Sequence, residues 1–314
     1  MSLPRKIATA AKLVARGEWW IFDRQVRLHW RTRRLRRAGA CPFIHRAAGH
    51  RLVCFPNLPD SAAQYLHGGD DRWELALLRR WLQSGDAFID AGANLGLYAH
   101  AVAGWFRGQV RVLALEASPE LVQHLVLAAQ LLGERQLQAV QVAVGAENSQ
   151  VSFYLARPGK TTVSQSMRID AAYAADYETH TLPMRPLAEL AREHLGGVEV
   201  QLVKVDVEGA EPLALRGAPA DWLGPEGPLW LVEINVPVLA RMDFRPRDVF
   251  ELFGREHFQC WLLPKYPHPG EPPPRPRPMV ADEEFSDALF YNLIAVPSGA
   301  KARERRARVA ALFT

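Results

Sequence analysis

Short apolar segments alternate with amphipathic ones through the middle of the chain. The apolar segments, which predict buried strands, are Ala87–Ile89, Val110–Leu115, Val140–Val144, Val200–Val205 and Leu229–Ile234. The amphipathic segments between them, such as Leu95–Phe106 and Pro119–Leu132, carry apolar residues at helical spacing. This alternation predicts an α/β fold with a doubly wound, mostly parallel sheet between helices. In such sheets, ligands bind outside the carboxyl ends of the strands, where the strand order reverses.

The same patterns predict further elements toward the end of the chain. They are the strands Val151–Leu155 and Ala288–Val296 and the helices Leu187–Leu195, Pro212–Arg216 and Arg247–Arg255. Residues 157–180 are polar and predict a loop with some helix, which is either a lid or an ordinary surface insertion. Residues 264–278 hold eight of the 23 prolines, so they predict a stiff, extended insert outside the central strands.

The chain before residue 86 has a different character. Residues 4–37 predict an arginine-rich helix, and residues 43–55 predict a hairpin. One side of that helix carries Trp19, Phe22, Val26 and Trp30. An amphipathic helix is predicted over residues 71–83. We therefore expect a basic helical extension and hairpin over residues 1–57, a main domain over 58–300, and a basic tail over 301–314.

Charge is unevenly distributed along the chain. The net charge is +4, but residues 1–51 carry 13 Lys and Arg against two acids, a net of +11. Residues 301–308 add a net of +4, which leaves −11 for residues 52–300. An acidic body with basic ends disfavours a uniform nucleic-acid-binding surface and leaves a basic arm as an alternative.

Cysteine content and hydropathy limit the protein class further. The three cysteines contain no C-x-x-C pair, which disfavours a disulfide framework or a zinc finger and favours a reducing compartment. No apolar run approaches the ~20 residues of a membrane span. The first residues lack the apolar core of a signal peptide. We therefore expect a cytoplasmic protein.

A glycine-containing turn follows the first strand of the alternating region. Gly92 and Gly96 permit a tight turn that brings backbone N–H groups close to a ligand, and the helix behind them favours negative charge. Asp90 ends the first strand and Glu116 ends the second. A carboxylate at the position of Glu116 can accept hydrogen bonds from both hydroxyls of a ribose. The pattern predicts a site for an adenosine-type cofactor.

A second group of carboxylates follows a later strand. Asp206, Glu208 and Glu211 lie within six residues after Lys204, and Glu233 ends the next strand. Carboxylates this close repel one another and cost stability unless the protein uses them. Two structural alternatives stay open, because Glu211 is equally well placed to cap a helix and Lys204 can form an ion pair with Asp206.

These motifs together resemble the FkbM-type family of S-adenosylmethionine-dependent methyltransferases. The matching stretches are Phe88–Gly96 (FIDAGANLG), Glu116 followed by Pro119, Lys204–Glu211 (KVDVEGAE), Leu231–Glu233 (LVE) and Tyr291–Pro297 (YNLIAVP). Trp73–Glu74 resembles an aromatic–Glu pair that many members carry. The resemblance spans roughly residues 58–297. It implies a seven-stranded, Rossmann-like class I methyltransferase domain preceded by the helical and hairpin extension.

The resemblance also implies roles for individual residues. Those expected to hold the methionine part of S-adenosylmethionine are Asp90, Gly92, Asn94 and Gly96. Glu116 is expected to bind the ribose, and Val144 to lie near the adenine. Those expected to act on the acceptor are Asp206 as base or orienting group, Glu208 second to it, and Glu233 on the acceptor side. The implied reaction is O-methylation, often of a sugar hydroxyl in a glycan, glycolipid or secondary metabolite, without a metal.

Two other functions stay open on the sequence alone. A nucleic-acid (RNA) methyltransferase would use the basic N-terminal arm on phosphates, although the acidic strand ends disfavour it. A membrane-docked adaptor would bind the cofactor without turnover. The tryptophans and arginines of residues 1–37 suit an anionic membrane surface and an accessory helical cap equally well.

Overall fold

The computed structural model describes residues 19–47, 49–67, 71–157, 160, 165–265, 275–280, 283–286 and 290–313, with the side chains of the first helix from Arg27 onward. The predicted helix over residues 4–37 is therefore seen only as Trp19–Ala38. The side chains of Trp19, Phe22 and Val26, and the part of the 157–180 segment at 158–159 and 161–164, lie outside the described residues.

Ten α-helices occur within the described ranges. They are α1 (Trp19–Ala38), α2 (Pro59–His67), α3 (Arg72–Trp81), α4 (Leu97–Phe106), α5 (Pro119–Leu132), α6 (Leu187–Leu195), α7 (Glu211–Arg216), α8 (Val236–Arg241), α9 (Pro246–Phe250) and α10 (Arg303–Val309). None of them combines the length and the apolar character that a membrane span requires.

Thirteen strands occur in the same ranges. They are β1 (Phe43–Ala47), β2 (His50–Cys54), β3 (Ala87–Ala91), β4 (Arg111–Glu116), β5 (Leu137–Gln141), β6 (Ala143–Val144), β7 (Ser149–Ala156), β8 (Tyr177–Arg185), β9 (Val200–Val205), β10 (Leu229–Asn235), β11 (Phe258–Lys265), β12 (Arg277–Pro278) and β13 (Phe290–Pro297). They form the predicted hairpin β1–β2, an eight-stranded sheet and a three-stranded sheet.

The large sheet has the order β12-β11-β13-β10-β9-β3-β4-β5. Five neighbouring strands, from β10 to β5, run parallel, whereas β13 pairs antiparallel with β10 and β11. The chain proceeds outward from β3 to β5 and then returns to the other side of β3 at β9. The strand order therefore reverses between β3 and β9, where a doubly wound sheet binds its ligand. The predicted α/β fold with a doubly wound, mostly parallel sheet is confirmed.

The sheet is buried on both faces, as a parallel sheet with helices on either side must be. One core cluster contains Phe88, Leu202 and Leu231 and packs under α3 and α4. The other contains Ile89 and Val203 on the opposite face and packs under α6. Side chains of one strand thus alternate between the two cores, and this alternation decides which strand-end residues share a face.

Helix α5 shows how local sequence sets the element boundaries. The Ser118 hydroxyl accepts a hydrogen bond from the Leu121 N–H at 3.4 Å, and Pro119 occupies the first turn, where its missing N–H costs nothing. Gly133 ends the helix with a left-handed φ of 76°, a conformation that glycine adopts without strain.

Three predicted elements need correction. The predicted strand Val140–Val144 is interrupted at Val142, where the chain leaves the large sheet, so Val144 lies in the small sheet instead. Strand β8 was predicted as loop over residues 177–180, because its first half is exposed and lacks apolar alternation. The predicted helix Arg247–Arg255 is confined to α9.

Strand β11 was absent from the prediction because it runs directly into the proline-rich insert. Pro264 and Lys265, the first residues of that insert, belong to this strand, and Arg277–Pro278 form a short edge strand beside it. Residues 266–274 lie outside the described ranges. The described sheet therefore has eight strands rather than the seven expected, with two-residue β12 as the addition.

The chain divides into two compact units. One comprises residues 1–43 and 54–69, and the other comprises residues 44–53 and 70–314. In the smaller unit, Arg31 donates to the Leu66 carbonyl at 3.1 Å. In the larger unit, the predicted basic tail contributes α10, where Arg305 makes hydrogen bonds of 2.6 and 2.9 Å to the two carboxylate oxygens of Asp86.

Candidate active site

A turn of left-handed residues follows β3. Gly92, Asn94 and Gly96 have φ values of 76°, 49° and 77°. A Cβ atom on Gly92 would lie only 1.7 Å from the Asp206 carbonyl oxygen, so the turn and the segment after β9 are in backbone contact. A Cβ atom on Gly96 would lie 2.5 Å from Leu125 Cδ2, so glycine there lets α4 begin against α5. Both glycines of the predicted motif are required by close approach as well as by conformation.

Glu116 links this turn to the end of β4. One carboxylate oxygen, Oε2, accepts from the Asn94 N–H at 2.8 Å, and Oε1 accepts from the Ser118 N–H at 2.9 Å. Burial raises the pKa of the Glu116 carboxyl above its ordinary value, while these N–H donors act in the opposite direction. Each oxygen has a second lone pair, so the carboxylate can still accept hydrogen bonds from a ligand.

A cleft of about 610 Å³, including its open mouth, lies at the carboxyl ends of β3, β4 and β9. The predicted site residues that line it are Gly92, Asn94, Glu116, Val144, Asp206 and Glu208. Phe153, Gln165 and Met167 also line it, from β7 and the segment between β7 and β8. The predicted residues Asp90, Gly96 and Glu233 are not part of this lining.

Asp90 and Asp206 are joined by the buried side chain of Lys204. The ammonium group lies 3.1 Å from Asp206 Oδ2 and 3.6 Å from Asp90 Oδ1. Asp90 is fully buried, and its other oxygen accepts from the Ala99 N–H at 3.1 Å in the first turn of α4. Asp206 is the accessible partner, with 31% of its side chain exposed. The ion pair predicted as one alternative for Lys204 is thus present, and it includes two carboxylates.

Asp90 and Lys204 belong to a row of polar side chains on the α3/α4 face of the sheet. We define the polar row as Asp90, Lys204, Glu233 and Asn292, one residue from each of β3, β9, β10 and β13. Register places Asp90 opposite Lys204 and Glu233 opposite Asn292. Lys204 lies opposite Leu231, two residues before Glu233, so strand alternation sends all four side chains to one face.

Helices α3 and α4 cover the polar row with further polar groups. Asn292 donates to Glu74 Oε1 at 2.6 Å, and Glu74 is fully buried. The Lys204 ammonium lies 5.0 Å from the centre of the Tyr98 ring, whose hydroxyl donates to Asp71 at 2.9 Å. The Glu74 of the aromatic–Glu pair therefore contacts the row directly.

Glu208 and Glu211 shape the turn between β9 and α7. Glu211 Oε1 accepts from the N–H groups of Val207 and Gly209 at 3.0 and 3.1 Å, so this carboxyl organises the turn; it does not cap α7, whose N-cap is Ala210 without a side-chain hydrogen bond. Glu208 adopts a left-handed φ of 54°, and a non-glycine residue holds such a conformation only where its surroundings impose it. Its carbonyl accepts from the Ser166 hydroxyl at 2.9 Å.

Burial and neighbouring charges shift the pKa values of the site's glutamates and of its lysine. Burial and the Asp206 charge raise the pKa of Glu208 and of Glu233 well above the ordinary range. Burial also raises the pKa of Glu211, to about 7. Burial alone would lower the pKa of Lys204, but the charges of Asp206 and Asp90 outweigh it and raise that pKa, so the ammonium stays charged. The site thus holds one permanent cation beside several carboxyls that favour their neutral form.

The segment after residue 164 closes one side of the cleft. Gln165 and Ser166 are buried, and Tyr154 of β7 pairs with Ser166 in an isolated bridge. Arg168 donates to the Arg241 carbonyl at 3.0 Å. The part of residues 157–180 that is described therefore includes cleft-lining residues, whereas Thr161, Thr162 and Ser164 lie outside it.

Some site residues could not be placed from the sequence alone. Tyr98 lies in an ordinary apolar pattern of α4, and Asn292 belongs to the matching stretch Tyr291–Pro297 without a predicted role until register places it opposite Glu233. Phe153 and Met167 enter the cleft because the small sheet folds back over β4, which local periodicity does not predict. Among the described residues, no group of three or more His, Cys, Asp or Glu is arranged to hold a metal ion.

Comparison with known proteins agrees with this geometry. The family model described as the Methyltransferase FkbM domain matches residues 90–243, which include the glycine turn, Glu116 and the segment after β9. A protein of Beauveria bassiana named Methyltransferase 1 is 30% identical over 146 residues. That match covers 42% of this chain and 58% of the relative, so the chain spans little more than half of the relative's length.

The solved structures that match this chain are remote from it. The precorrin-6y C5,15-methyltransferase of Geobacter metallireducens is 12% identical with a TM-score of 0.37, covering 72% of this chain and 87% of that one. A SAM-dependent methyltransferase of Aquifex aeolicus is 10% identical with a TM-score of 0.36, covering 72% and 93%. The order and direction of the strands, the glycine turn and the matched segment together show that residues 90–243 are a domain of the FkbM methyltransferase family.

Proposed function

We propose that the chain transfers a methyl group from S-adenosylmethionine to an oxygen atom of its acceptor, a sugar hydroxyl in a glycan, glycolipid or secondary metabolite. One observation carries the proposal: Asp206 both lines the cleft beside the glycine turn and bonds to Lys204 of the polar row. Asp206 is thus a partly exposed carboxylate of the cleft lining that an acceptor hydroxyl can reach.

The residues of the cleft fit this cofactor. Gly92 and Glu116 offer a close backbone approach and a ribose-binding carboxylate. One buried acceptor oxygen of the cleft lining, Asn94 Oδ1, has no hydrogen-bond partner among the described residues, and an amino group can satisfy such an acceptor. Val144 and Phe153 supply apolar walls for a base. S-adenosylmethionine, when bound, supplies a methyl group on a positively charged sulfur.

The side chains around Asp206 suit the activation of a hydroxyl. An alcohol is a poor nucleophile until its proton leaves, and a positioned carboxylate that accepts the proton typically contributes a factor of ~10²–10⁴ in rate. Lys204 lies 3.1 Å from Asp206 Oδ2 and can hold this carboxyl in a fixed orientation. Glu233 and Glu208 favour their neutral forms, in which each can both donate and accept hydrogen bonds with a hydroxylated acceptor.

The same charges weigh against nucleic acid as the acceptor. A phosphate backbone that approached the cleft would face the Asp206 carboxylate, whose side chain is 31% exposed, beside a single buried lysine. Desolvating phosphates against a carboxylate is unfavourable. Neutral sugar hydroxyls carry no such cost.

We further propose that the enzyme works in the cytoplasm and touches an anionic membrane through residues 1–37. The described part of that segment supports this, because Trp30 is 59% exposed and the Arg33 guanidinium lies 5.7 Å from its ring. Arginine beside an exposed tryptophan is typical of membrane interfaces. Cys41, Cys54 and Cys260 are free thiols, a state that a reducing compartment would preserve.

The decisive experiment incubates the protein with methyl-labelled S-adenosylmethionine and separate saccharide, lipid-linked glycan and RNA fractions. We expect label in a saccharide-containing fraction, and expect Asp206→Asn to lose turnover by a factor of ~10²–10⁴ while retaining cofactor binding. The matched control is Asp221→Asn, at an exposed position outside the cleft. Label in RNA alone would contradict the acceptor class, and near-normal turnover in Asp206→Asn would remove its catalytic role.

A further inference from the structure

Two adjoining clefts on the larger unit are lined by arginines. The first is lined by Arg46, Arg51, Arg107 and Arg135, and the second by Arg72, Arg79, Arg80 and Arg308. We call these eight residues the arginine belt. Trp105 lines both clefts, and the Arg79 guanidinium lies 5.6 Å from its ring, so the two clefts form one continuous basic surface.

The positive charge of the arginine belt is not neutralised within the described residues. All eight side chains belong to exposed residues, and Arg46, Arg51, Arg107 and Arg135 make no ion pair there. The acid that lines the first cleft is Glu134, which is engaged with the buried His100 Nδ1 at 2.6 Å. Unpaired guanidinium groups gathered at one place point to an anionic partner.

The arginine belt does not serve the candidate active site. The first cleft contains the last residues of α4 and the residues after α5, whereas the cofactor cleft lies where those helices begin. At ~1.5 Å per residue, α4 and α5 separate these ends by about 15 and 21 Å. The basic surface therefore lies at the opposite edge of the sheet from Asp206.

An exposed apolar ridge on α5 leads into the first cleft. Val126, Leu127 and Leu131 are 40%, 40% and 45% exposed, and Leu127 and Leu131 are one helical turn apart. Beyond Glu120 in its first turn, α5 carries no Asp, Glu, Lys or Arg. The next residue, Leu132, lines the first cleft, so the ridge and the arginines are contiguous.

We propose that the arginine belt and the α5 ridge form a docking surface for an anionic lipid membrane. The guanidinium groups take the lipid phosphates, and the leucines enter the boundary between headgroups and acyl chains. Nucleic acid would match the charge but leave the apolar ridge in water. A second copy of the chain could cover the ridge, but it would bring the positive surfaces of the two copies against each other. The surface belongs to the larger unit, so the inference goes beyond the proposed methyl transfer and the contact through residues 1–37.

The test measures binding of the full chain to vesicles of phosphatidylcholine, with and without a third of the lipid as phosphatidylglycerol, by cosedimentation. Removing two charges with R51Q/R135Q should lower the partition coefficient on anionic vesicles about 25-fold, at about fivefold per basic residue. The ridge variant L127Q/L131Q should also lower it. The matched control is R192Q/R247Q, two exposed arginines outside the belt, which should bind like the unmodified chain.

Three results would overturn the proposal. In the first, R51Q/R135Q and the control partition alike, which would assign any binding to residues 1–37. In the second, L127Q/L131Q retains full vesicle binding, or light scattering shows that it splits a dimer of the unmodified chain. In the third, R51Q/R135Q weakens binding to an RNA oligonucleotide while vesicles never bind. Urea unfolding curves that match the unmodified chain confirm that each variant is folded.

Discussion

Replacing Glu116 by alanine tests how the glycine turn is held to the end of β4. Alanine removes both oxygens that accept the Asn94 and Ser118 N–H groups at 2.8 and 2.9 Å. A hydrogen bond to a charged group contributes ~1.5–3 kcal/mol. Water that enters the open cleft will replace part of both bonds. We therefore expect Glu116→Ala to lower the free energy of unfolding by about 2–4 kcal/mol.

The same substitution removes an acceptor for the proposed cofactor. Losing one such charged contact should weaken S-adenosylmethionine binding by roughly ten- to a hundredfold beyond any effect of unfolding. Urea unfolding without the cofactor measures the first effect, and calorimetric titration at a temperature where the variant is folded measures the second. Glu116→Gln, which keeps one acceptor oxygen, should fall between alanine and the unmodified chain in both assays.

Glu120→Ala is the matched control, since Glu120 is exposed in the first turn of α5 and its side chain bonds to no described residue. It should leave both measurements unchanged. An unaltered unfolding curve for Glu116→Ala would refute the structural link between the turn and the strand. Unaltered affinity would remove Glu116 from the cofactor site, whatever happens to stability.

Three further predictions concern the turn after β9, the last helix and the glycine turn. The pKa of Glu211 is raised to about 7 in the folded chain, so the stability that this carboxyl contributes is fully present below the ordinary pKa of ~4.3 and is lost as pH rises through about 7. The variant Glu211→Gln keeps the accepting oxygen, so its free energy of unfolding should exceed that of the unmodified chain by ~1–3 kcal/mol at about pH 8 and equal it at about pH 4. Equal stability of the two chains at both pH values in urea titrations would count against this reasoning. Arg305→Ala leaves the largely buried Asp86 carboxylate without its cation and should lower the free energy of unfolding by about 2–4 kcal/mol in the same titrations. Arg303→Ala, at an exposed position, is its control, and an Arg305→Ala unfolding midpoint equal to that of the control would contradict the prediction. Gly92→Ala places a methyl group 1.7 Å from the Asp206 carbonyl oxygen and should abolish cofactor binding in calorimetry while the chain still folds. Unchanged cofactor affinity would show that the turn can shift to make room for the methyl group.

The sequence predicted those parts of the fold that local pattern controls. The central strands and the helices α4 and α5 have unbroken apolar periodicity, and α5 also has Ser118 and Gly133 as caps, so their existence and type follow from the chain alone. The sequence did not predict strand β8, because five of its nine residues are exposed and only its pairing with β7 defines it. Strand β11 contains Pro264 near its end and precedes further prolines, which obscured its apolar run.

The residues of the candidate site also divide into those that local pattern predicts and those that only the fold brings together. Glu116 and Asp206 follow strands of recognisable pattern, so their place at the carboxyl edge of the sheet could be predicted. Tyr98, Glu74 and Asn292 reach the polar row through contacts of long sequence separation; the Glu74–Asn292 bond joins residues 218 apart. Charge showed a comparable limit, since the acidic net charge of the middle of the chain concealed the basic clefts at the opposite edge of the sheet.

The position of β13 has a consequence for how the protein is made. It is the last of the described strands along the chain, so it is synthesised after its neighbours, yet it lies between β10 and β11 in the middle of the sheet's antiparallel half. Until residue 297 has left the ribosome, both of those strands present unpaired backbone edges, which are templates for pairing with other chains. Nascent or prematurely terminated chains are then the form most prone to aggregation, and slowing translation just before β13 would prolong their exposure.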